Sequence, residues 1–120
     1  MSYSYFVFRP RGLPIEPSRI SEEFLLPLGP AEAIHDALAS VIPDAKWARH
    51  DRGSATVEGK WMEFYLRPSD GDPSQFTLSI RCSLRADYRP HVQELVDRLG
   101  WIALDEGSML YQPNRTPVRV

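Results

Sequence analysis

The stretch WMEFYLRPSDGDPSQFTLSIRCSL, residues 61–84, decides the fold because it contains two strand patterns around one turn. Apolar and polar residues alternate on both sides of the turn, which is typical of strands with one buried face. The intervening PSDGDPS consists of residues that favour turns. This stretch therefore predicts an antiparallel hairpin.

The alternation also predicts how the hairpin is paired. A symmetric loop places Leu66 opposite Phe76, and in the same register Trp61 lies opposite Arg81, where the two side chains would form a cation–π pair. A one-residue slip would turn the apolar side chains outward, so we expect the register to hold to within two residues. The apolar side is then Met62, Phe64, Leu66, Leu78 and Ile80, and the other side is Trp61, Glu63, Tyr65, Arg67, Thr77, Ser79 and Arg81.

Upstream of the hairpin, strand and helix patterns alternate with proline-rich connections. Apolar residues at three- and four-residue steps predict a helix that begins at Pro30 and is ended by Pro43. The segment Glu58-Gly59-Lys60 is compatible with a turn or with a bulge in one continuous strand. The remaining predictions are a strand over 3–9, an ordered loop over 10–29 with at most a short turn, and strands over 46–50 and 54–58.

Downstream, the sequence predicts a helix over 88–99 with Asp87 as its N-cap. Gly100 stands where a left-handed C-cap is expected. A short hairpin follows over 101–104 and 109–111, in which Trp101 and Ala103 share one side while Ile102 and Leu104 share the other.

These elements predict an α+β fold. We expect a two-layer sandwich in which a mainly antiparallel sheet of about five or six strands carries both helices on one face. The chain of 120 residues is expected to form a single domain over 1–112, followed by a C-terminal tail over 113–120.

Composition and charge limit where the protein acts and what it binds. The lone Cys82, the absence of a signal-peptide pattern and the lack of a long apolar run lead us to expect a cytoplasmic protein. Net charge is −2, and the arginines are scattered among acidic residues. We therefore expect neither nucleic acid nor a membrane as partner.

The residue types needed for catalysis do not occur in recognisable patterns. His35, His50 and His91 lack the spacing of metal ligands, and no serine-nucleophile or phosphate-loop motif is present. Cys82 belongs to the apolar side of its strand, and Asp105-Glu106 fits turn chemistry. We expect no catalytic residues, no metal and no cofactor.

The polar side of the hairpin is the strongest candidate for a binding site. Aromatic and arginine side chains are enriched in protein interfaces, although a solvated sheet face with cross-strand pairs has the same composition. The interpretation is a non-enzymatic interaction protein whose partner is another protein or a second copy of the chain. The candidate interface residues are Trp61, Glu63, Tyr65, Arg67 and Arg81.

An alternative is a small enzyme or ligand-binding domain. Its pocket would lie between the 10–29 loop and the helices, and its polar and aromatic lining would be Arg9, Arg11, His91 and Trp101. A pocket of this kind predicts convergent titratable groups, whereas an interaction protein predicts a flat, exposed aromatic and arginine face.

Two segments carry a resemblance to known proteins: MEFYLRPSDGDPSQFTLSIR, and LGWIALDEGSMLY after the second predicted helix. Together they cover roughly residues 62–111. This pattern resembles a broad set of small uncharacterised bacterial proteins, some of which are found beside secreted toxins and are suspected immunity proteins. The resemblance implies a bacterial, immunity-like interaction protein, and it implies no catalytic residues.

Overall fold

The computed structural model describes residues 2–120 and is an α+β fold with an antiparallel sheet. Across these residues there are nine strands and two α-helices, not the five or six strands predicted. The strands are β1 Ser2–Pro10, β2 Leu25–Leu26, β3 Lys46–Arg49, β4 Arg52–Val57, β5 Lys60–Pro68, β6 Phe76–Ser83, β7 Ile102–Asp105, β8 Met109–Tyr111 and β9 Val118–Arg119. The helices are α1 Ala31–Val41 and α2 Arg89–Leu99.

The sheet has the order β3-β4-β5-β6-β1-β7-β8-β9, and β2 pairs with one end of β1. Every pairing is antiparallel. β1 therefore lies between the long hairpin β5–β6 and the terminal hairpin β7–β8. The strand count exceeds the prediction because β2 and β9 are pairs of residues without a recognisable alternation, and because β4 and β5 are two strands and not one continuous strand.

Residues 58 and 59 form a turn between β4 and β5, which decides between the two alternatives left open by the sequence. Glu58 and Gly59 both have positive φ, at 52° and 76°. Two successive left-handed residues are the geometry of a tight two-residue hairpin turn. The chain therefore reverses here, and β4 and β5 are separate strands.

The predicted register of the β5–β6 hairpin is wrong by two residues. Leu66 faces Leu78, not Phe76, because Pro68 belongs to β5 and pairs with Phe76, so that the loop is 69–75 and not 68–74. The backbone nitrogen of Gln75 donates to Asp72 O at 3.0 Å, and this turn delays the second strand until Phe76. A two-residue shift leaves each side chain on its predicted side of the sheet.

The main core lies between one side of the sheet and both helices. Ile34 and Leu38 of α1 and Val96 of α2 are buried in the same cluster as Phe64 and Ile80 of the sheet. Helix α2 ends at Gly100, whose φ of 69° confirms the predicted left-handed C-cap. Asp87 is not the N-cap as predicted, because Tyr88 occupies that position. The Asp87 side chain instead accepts a hydrogen bond from the backbone nitrogen of Arg89 at 3.0 Å.

The opposite side of the sheet is partly covered by residues 11–28. Ile15 forms a second buried cluster there with Ile102 and Leu110. The segment is ordered, as expected, and contains two short 3-10 turns in addition to β2. Because it adds side chains to the face away from the helices, the simple two-layer arrangement is not confirmed.

The predicted alternation of residues 101–104 is confirmed, since Trp101 and Ala103 join the helix-side core while Ile102 and Leu104 join the second cluster.

The segment predicted as a tail also contributes to the sheet. Val118 and Arg119 pair with β8 as the edge strand β9. Both side chains are exposed, so the pairing buries little apolar surface.

Candidate functional site

The outward side of β4, β5 and β6 forms a continuous surface that we call the open face. It lies on the side of the sheet away from the helices, beyond the strands that residues 11–28 cover. Each of its side chains is exposed or partly exposed. The open face consists of Arg52, Ser54, Thr56, Trp61, Glu63, Tyr65, Arg67, Thr77, Ser79 and Arg81.

Tyr65 is the centre of the open face and lies between two arginines. The Cζ atoms of Arg52 and Arg81 are 5.2 Å and 5.1 Å from the centre of its ring, within reach of cation–π attraction. Arg52 pairs directly with Tyr65 across β4 and β5, while Arg81 pairs with Glu63 across β5 and β6. The sequence prediction omitted Arg52 because this residue falls in the turn between the predicted strands over 46–50 and 54–58.

A hydrogen bond fixes the tip of the Tyr65 side chain. Its hydroxyl donates to Glu63 Oε2 at 2.6 Å. This bond is the main reason why the pKa of Tyr65 is raised above its ordinary value, with burial as the next cause. Ring and carboxylate are therefore held together in one arrangement on the surface.

Trp61 and Arg67 lie at the two ends of the same row on β5. Trp61 is 51% exposed and pairs with Thr56, while the exposed Arg67 pairs with Thr77. Because the register is shifted by two residues, Arg81 contacts Tyr65 and does not form the predicted pair with Trp61. The five predicted interface residues nevertheless share one side of the sheet.

The four residues of the alternative pocket are not brought together. Arg9 and Arg11 donate to backbone oxygens of Pro27 and Glu23, at 3.3 Å and 2.8 Å, and so hold the 11–28 segment in place. Trp101 is buried in the helix-side core, and His91 lies on α2 with its Nε2 3.6 Å from Glu58 Oε2. No shared pocket forms from these four, because the segment packs on the other side of the sheet from the helices.

A cleft that sequence reasoning missed lies beside the first turn of α2. Its volume is about 780 Å³. Tyr3 and Tyr5 from β1 and Tyr111 from β8 form part of its wall, together with charged residues from both sides of the opening. The placement of Tyr3 and Tyr5 on the same side of the first strand is the one feature of the sequence that could have indicated it.

The described residues do not point to metal or thiol chemistry. Within residues 2–120 there is no group of three or more His, Cys, Asp or Glu side chains that could hold a metal ion. Burial raises the pKa of the Cys82 thiol to about 12, so the thiol stays protonated at neutral pH. In the same part of the chain, no helix has the length and apolar character required to cross a membrane.

Comparison of the chain with protein-family models, curated proteins and solved structures found no match. The functional interpretation therefore rests on the geometry of the open face and the cleft.

Proposed function

We propose that this protein is a non-catalytic binding module whose open face docks onto an acidic surface of another protein. The observation that carries the proposal is the position of Tyr65 between Arg52 and Arg81. Tyrosine, tryptophan and arginine are the residues that most often dominate the energy of protein interfaces. Here all three types stand together on one accessible surface.

The charge of the open face supports an acidic partner. Three arginines stand there with one carboxylate, Glu63, whereas the whole chain has a net charge of −2. Positive charge is thus concentrated on one side of an otherwise acidic molecule. Such a separation of charge steers encounter with a negatively charged surface and disfavours other orientations.

Aromatic surface extends beyond Tyr65 in two directions. Trp61 is 51% exposed on β5. Phe6 is 40% exposed on β1, where it pairs with Ser79 and so points to the same side of the sheet. Burying these rings would give a central apolar contact surrounded by charged groups, which is the usual anatomy of a specific interface.

The open face is also organised before binding. The Tyr65 hydroxyl is hydrogen-bonded to Glu63, and the guanidinium carbons of Arg52 and Arg81 lie 5.2 Å and 5.1 Å from the centre of its ring. Side chains that are already ordered lose less conformational entropy when a partner binds. A rigid Tyr65 would therefore contribute more binding free energy than a mobile surface tyrosine.

Other occupants fit the open face less well. In a symmetric dimer through this face, the arginines of one copy would oppose those of the other, since a two-fold interface uses the same patch twice. Nucleic acid would place phosphates near Glu63, on a chain that is acidic overall. An acidic protein avoids both conflicts.

The resemblance of residues 62–111 to suspected immunity proteins adds a class of partner to this proposal. An immunity-like protein would cover part of a secreted toxin with the open face, in the bacterial cytoplasm. Such a role needs affinity and specificity but no catalysis.

The test begins with capture of partners from extracts of the source organism, followed by titration of the purified binary complex at low and high salt. We compare the wild type with Arg52→Ala/Arg81→Ala and with Trp61→Ala. The matched control is Arg19→Ala/Arg115→Ala, which also removes two exposed arginines but leaves the open face intact. Light scattering reports self-association of the free protein.

The proposal predicts an acidic protein whose affinity falls about tenfold or more in each open-face variant and is unchanged in the control. Its affinity should also fall with added salt. Equal binding by the Arg52→Ala/Arg81→Ala variant would contradict the proposal. So would capture of RNA alone, or dimerisation that the open-face variants abolish.

A further inference from the structure

The cleft beside α2 has the size and position of a small-molecule site. Helix α2 begins only at Arg89, so the adjoining strand ends of the helix-side sheet surface are not covered by it. The resulting volume of about 780 Å³ is comparable with ligand pockets, which span roughly 300–1,000 Å³. The cleft and the open face have no residue in common, so the two sites can be tested separately.

Three tyrosine rings in the cleft wall are arranged edge to face. The ring centres of Tyr3 and Tyr5 are 5.4 Å apart at 72°, and those of Tyr5 and Tyr111 are 5.7 Å apart at 76°. A planar ring from a ligand can continue this arrangement with the same favourable geometry. Met109 and the half-exposed Leu84 add apolar surface beside the tyrosines.

The hydroxyl of Tyr5 is an unused hydrogen-bond donor in this wall. Tyr3 accepts the backbone nitrogen of Gly107 at 3.0 Å, and Tyr111 donates to Asp105 Oδ2 at 3.4 Å. Tyr5 is 4% exposed and its hydroxyl makes no hydrogen bond within residues 2–120, but the oxygen is not among the fully enclosed atoms without a partner, so it can be reached from the cleft. Burial raises the pKa of Tyr5, so the group is a neutral phenol that can donate to a ligand. An accessible phenol in the wall of a cleft is a donor that a ligand can use in place of water.

The acidic groups of the cleft already accept hydrogen bonds from the protein. Both carboxylate oxygens of Asp87 accept from the Arg89 guanidinium, at 2.8 Å and 2.9 Å. Asp105 Oδ1 accepts the backbone nitrogens of Gly107 and Met109, at 2.8 Å and 2.9 Å. Asp87 is thus paired with a cation, and Asp105 is hydrogen-bonded to neutral donors.

Two arginines of the cleft remain available for an anion. Arg85 is exposed, and its guanidinium has no ion-pair partner within residues 2–120. Arg119 donates one Nη1 hydrogen bond to Gly107 O at 2.9 Å and has further N–H groups to offer. Guanidinium groups bind carboxylate and phosphate through paired hydrogen bonds.

From these contacts we infer that the cleft binds a small anionic molecule that carries one aromatic ring. The ring packs against Tyr3 and the accessible part of Tyr5, next to the fully buried Tyr111. The Tyr5 hydroxyl donates a hydrogen bond to the ligand, and Arg85 and Arg119 bind its carboxylate or phosphate. No bond is made or broken, so this is a binding site and not a catalytic centre.

The test uses phenyl phosphate as the probe, with binding followed by NMR titration of the whole protein. Inorganic phosphate and phenol serve as the anion-only and ring-only arms. We expect saturable shifts at Tyr5, Arg85 and Arg119 with a dissociation constant of about 1 mM or below. Each partial probe should bind about tenfold or more weakly than phenyl phosphate, because it makes only half of the contacts.

Two variants separate this site from a merely structural cluster. Tyr5→Phe removes one hydroxyl and keeps the ring, and Arg85→Gln removes one exposed charge. Each should weaken phenyl phosphate binding about tenfold or more, as expected for a hydrogen bond to a charged group. The unfolding temperature should not change, since neither group has a partner in the free protein. Arg115→Gln, on the same C-terminal segment but outside the cleft, is the control and should bind as the wild type does.

The inference is wrong if phenyl phosphate fails to saturate, or if phosphate or phenol alone binds equally well. It is also wrong if both cleft variants retain wild-type affinity. Loss of open-face binding in these cleft variants would show that the fold had been damaged, and their thermal unfolding curves report this directly.

Discussion

The side-chain amide of Gln112 bonds both backbone polar groups of Ile15. Its Oε1 accepts the Ile15 nitrogen at 2.8 Å, and its Nε2 donates to the Ile15 oxygen at 2.9 Å. Both residues are 3% exposed. The amide thus makes the two hydrogen bonds that a neighbouring strand would otherwise make with Ile15, and it joins the 11–28 segment to the end of β8.

Replacement of Gln112 by leucine should loosen this segment. Gln112→Leu keeps the approximate volume but leaves the nitrogen and oxygen of Ile15 without partners, so we expect a loss of about 2 kcal/mol in the free energy of unfolding. Urea denaturation measures the loss, and hydrogen exchange of the Ile15 amide should become faster. Gln75→Leu, at a partly exposed loop position, is the control and should change stability by less than about 0.5 kcal/mol. An unchanged Ile15 exchange rate in Gln112→Leu would contradict the assigned role.

Gly53 on β4 should not tolerate a methyl group. A Cβ at this position would lie 2.7 Å from the Lys46 carbonyl oxygen and 2.8 Å from the ring of Trp47. That ring is stacked on His35 at 3.9 Å, so it cannot move away freely. We expect Gly53→Ala to lower the free energy of unfolding by about 1–3 kcal/mol in chemical denaturation.

The matched control for Gly53 is Gly71→Ala. A Cβ at Gly71 would meet nothing within 4 Å, and we expect little effect on stability. Equal stability of the two alanine variants would show that the close approach of Trp47 to Gly53 is not present in solution.

The Cys82 thiol should be unreactive in the folded protein. It is 2% exposed, and burial raises its pKa to about 12, so the nucleophilic thiolate is rare at pH 8. Ellman's reagent should therefore react only after guanidinium unfolds the chain. In a Cys82→Ala/Leu84→Cys variant the thiol occupies a position where leucine is 50% exposed, and reaction should be fast. Rapid modification of native Cys82 would disprove its burial.

Asp87 gives a pH-dependent prediction. Hydrogen bonds from the side chain and backbone of Arg89 lower the pKa of Asp87 from 3.8 to about 2. Because the folded pKa lies below the unfolded value, the ionised carboxylate stabilises the folded state above about pH 4, and this stabilisation is lost as pH falls through about 2. The pair is exposed, so its effect on total stability is small.

An NMR titration of the Asp87 carboxyl carbon tests this prediction. In Arg89→Ala the titration midpoint should rise towards the ordinary aspartate value, since the guanidinium contacts are lost while the backbone hydrogen bond remains. Arg98→Ala removes an arginine at the other end of α2 and should leave the midpoint unchanged. A midpoint that is the same in Arg89→Ala and the wild type would contradict the assigned pairing.

Much of the fold could be predicted from local patterns. The long hairpin, both helices, the Gly100 cap and the two sides of residues 101–104 follow from periodicities of two or 3.6 residues and from terminal residues with special backbone geometry. The open face was predicted for the same reason, since alternation assigns Trp61, Tyr65 and Arg81 to one side whatever the pairing partner.

The contacts within the open face could not be predicted in this way. Arg81 contacts Tyr65 and not Trp61 because the loop turn at Asp72–Gln75 shifts the strands by two residues. Alternation repeats every two residues, so both registers bury the same side chains and the pattern does not distinguish them. Arg52 reaches Tyr65 because β4 begins at Arg52, two residues before the predicted strand over 54–58.

The sequence by itself determined the two helices, the longer strands and the apolar side of each, because these properties depend on neighbours within a few positions. Only the tertiary structure decided that β1 lies between β6 and β7, that residues 11–28 cover the face opposite the helices, and that Tyr3, Tyr5 and Tyr111 meet in one cleft. These arrangements join residues about a hundred positions apart, such as Ile15 and Gln112. Which tertiary arrangement forms depends on the burial and hydrogen bonding of the whole chain, and a local sequence pattern does not hold that information.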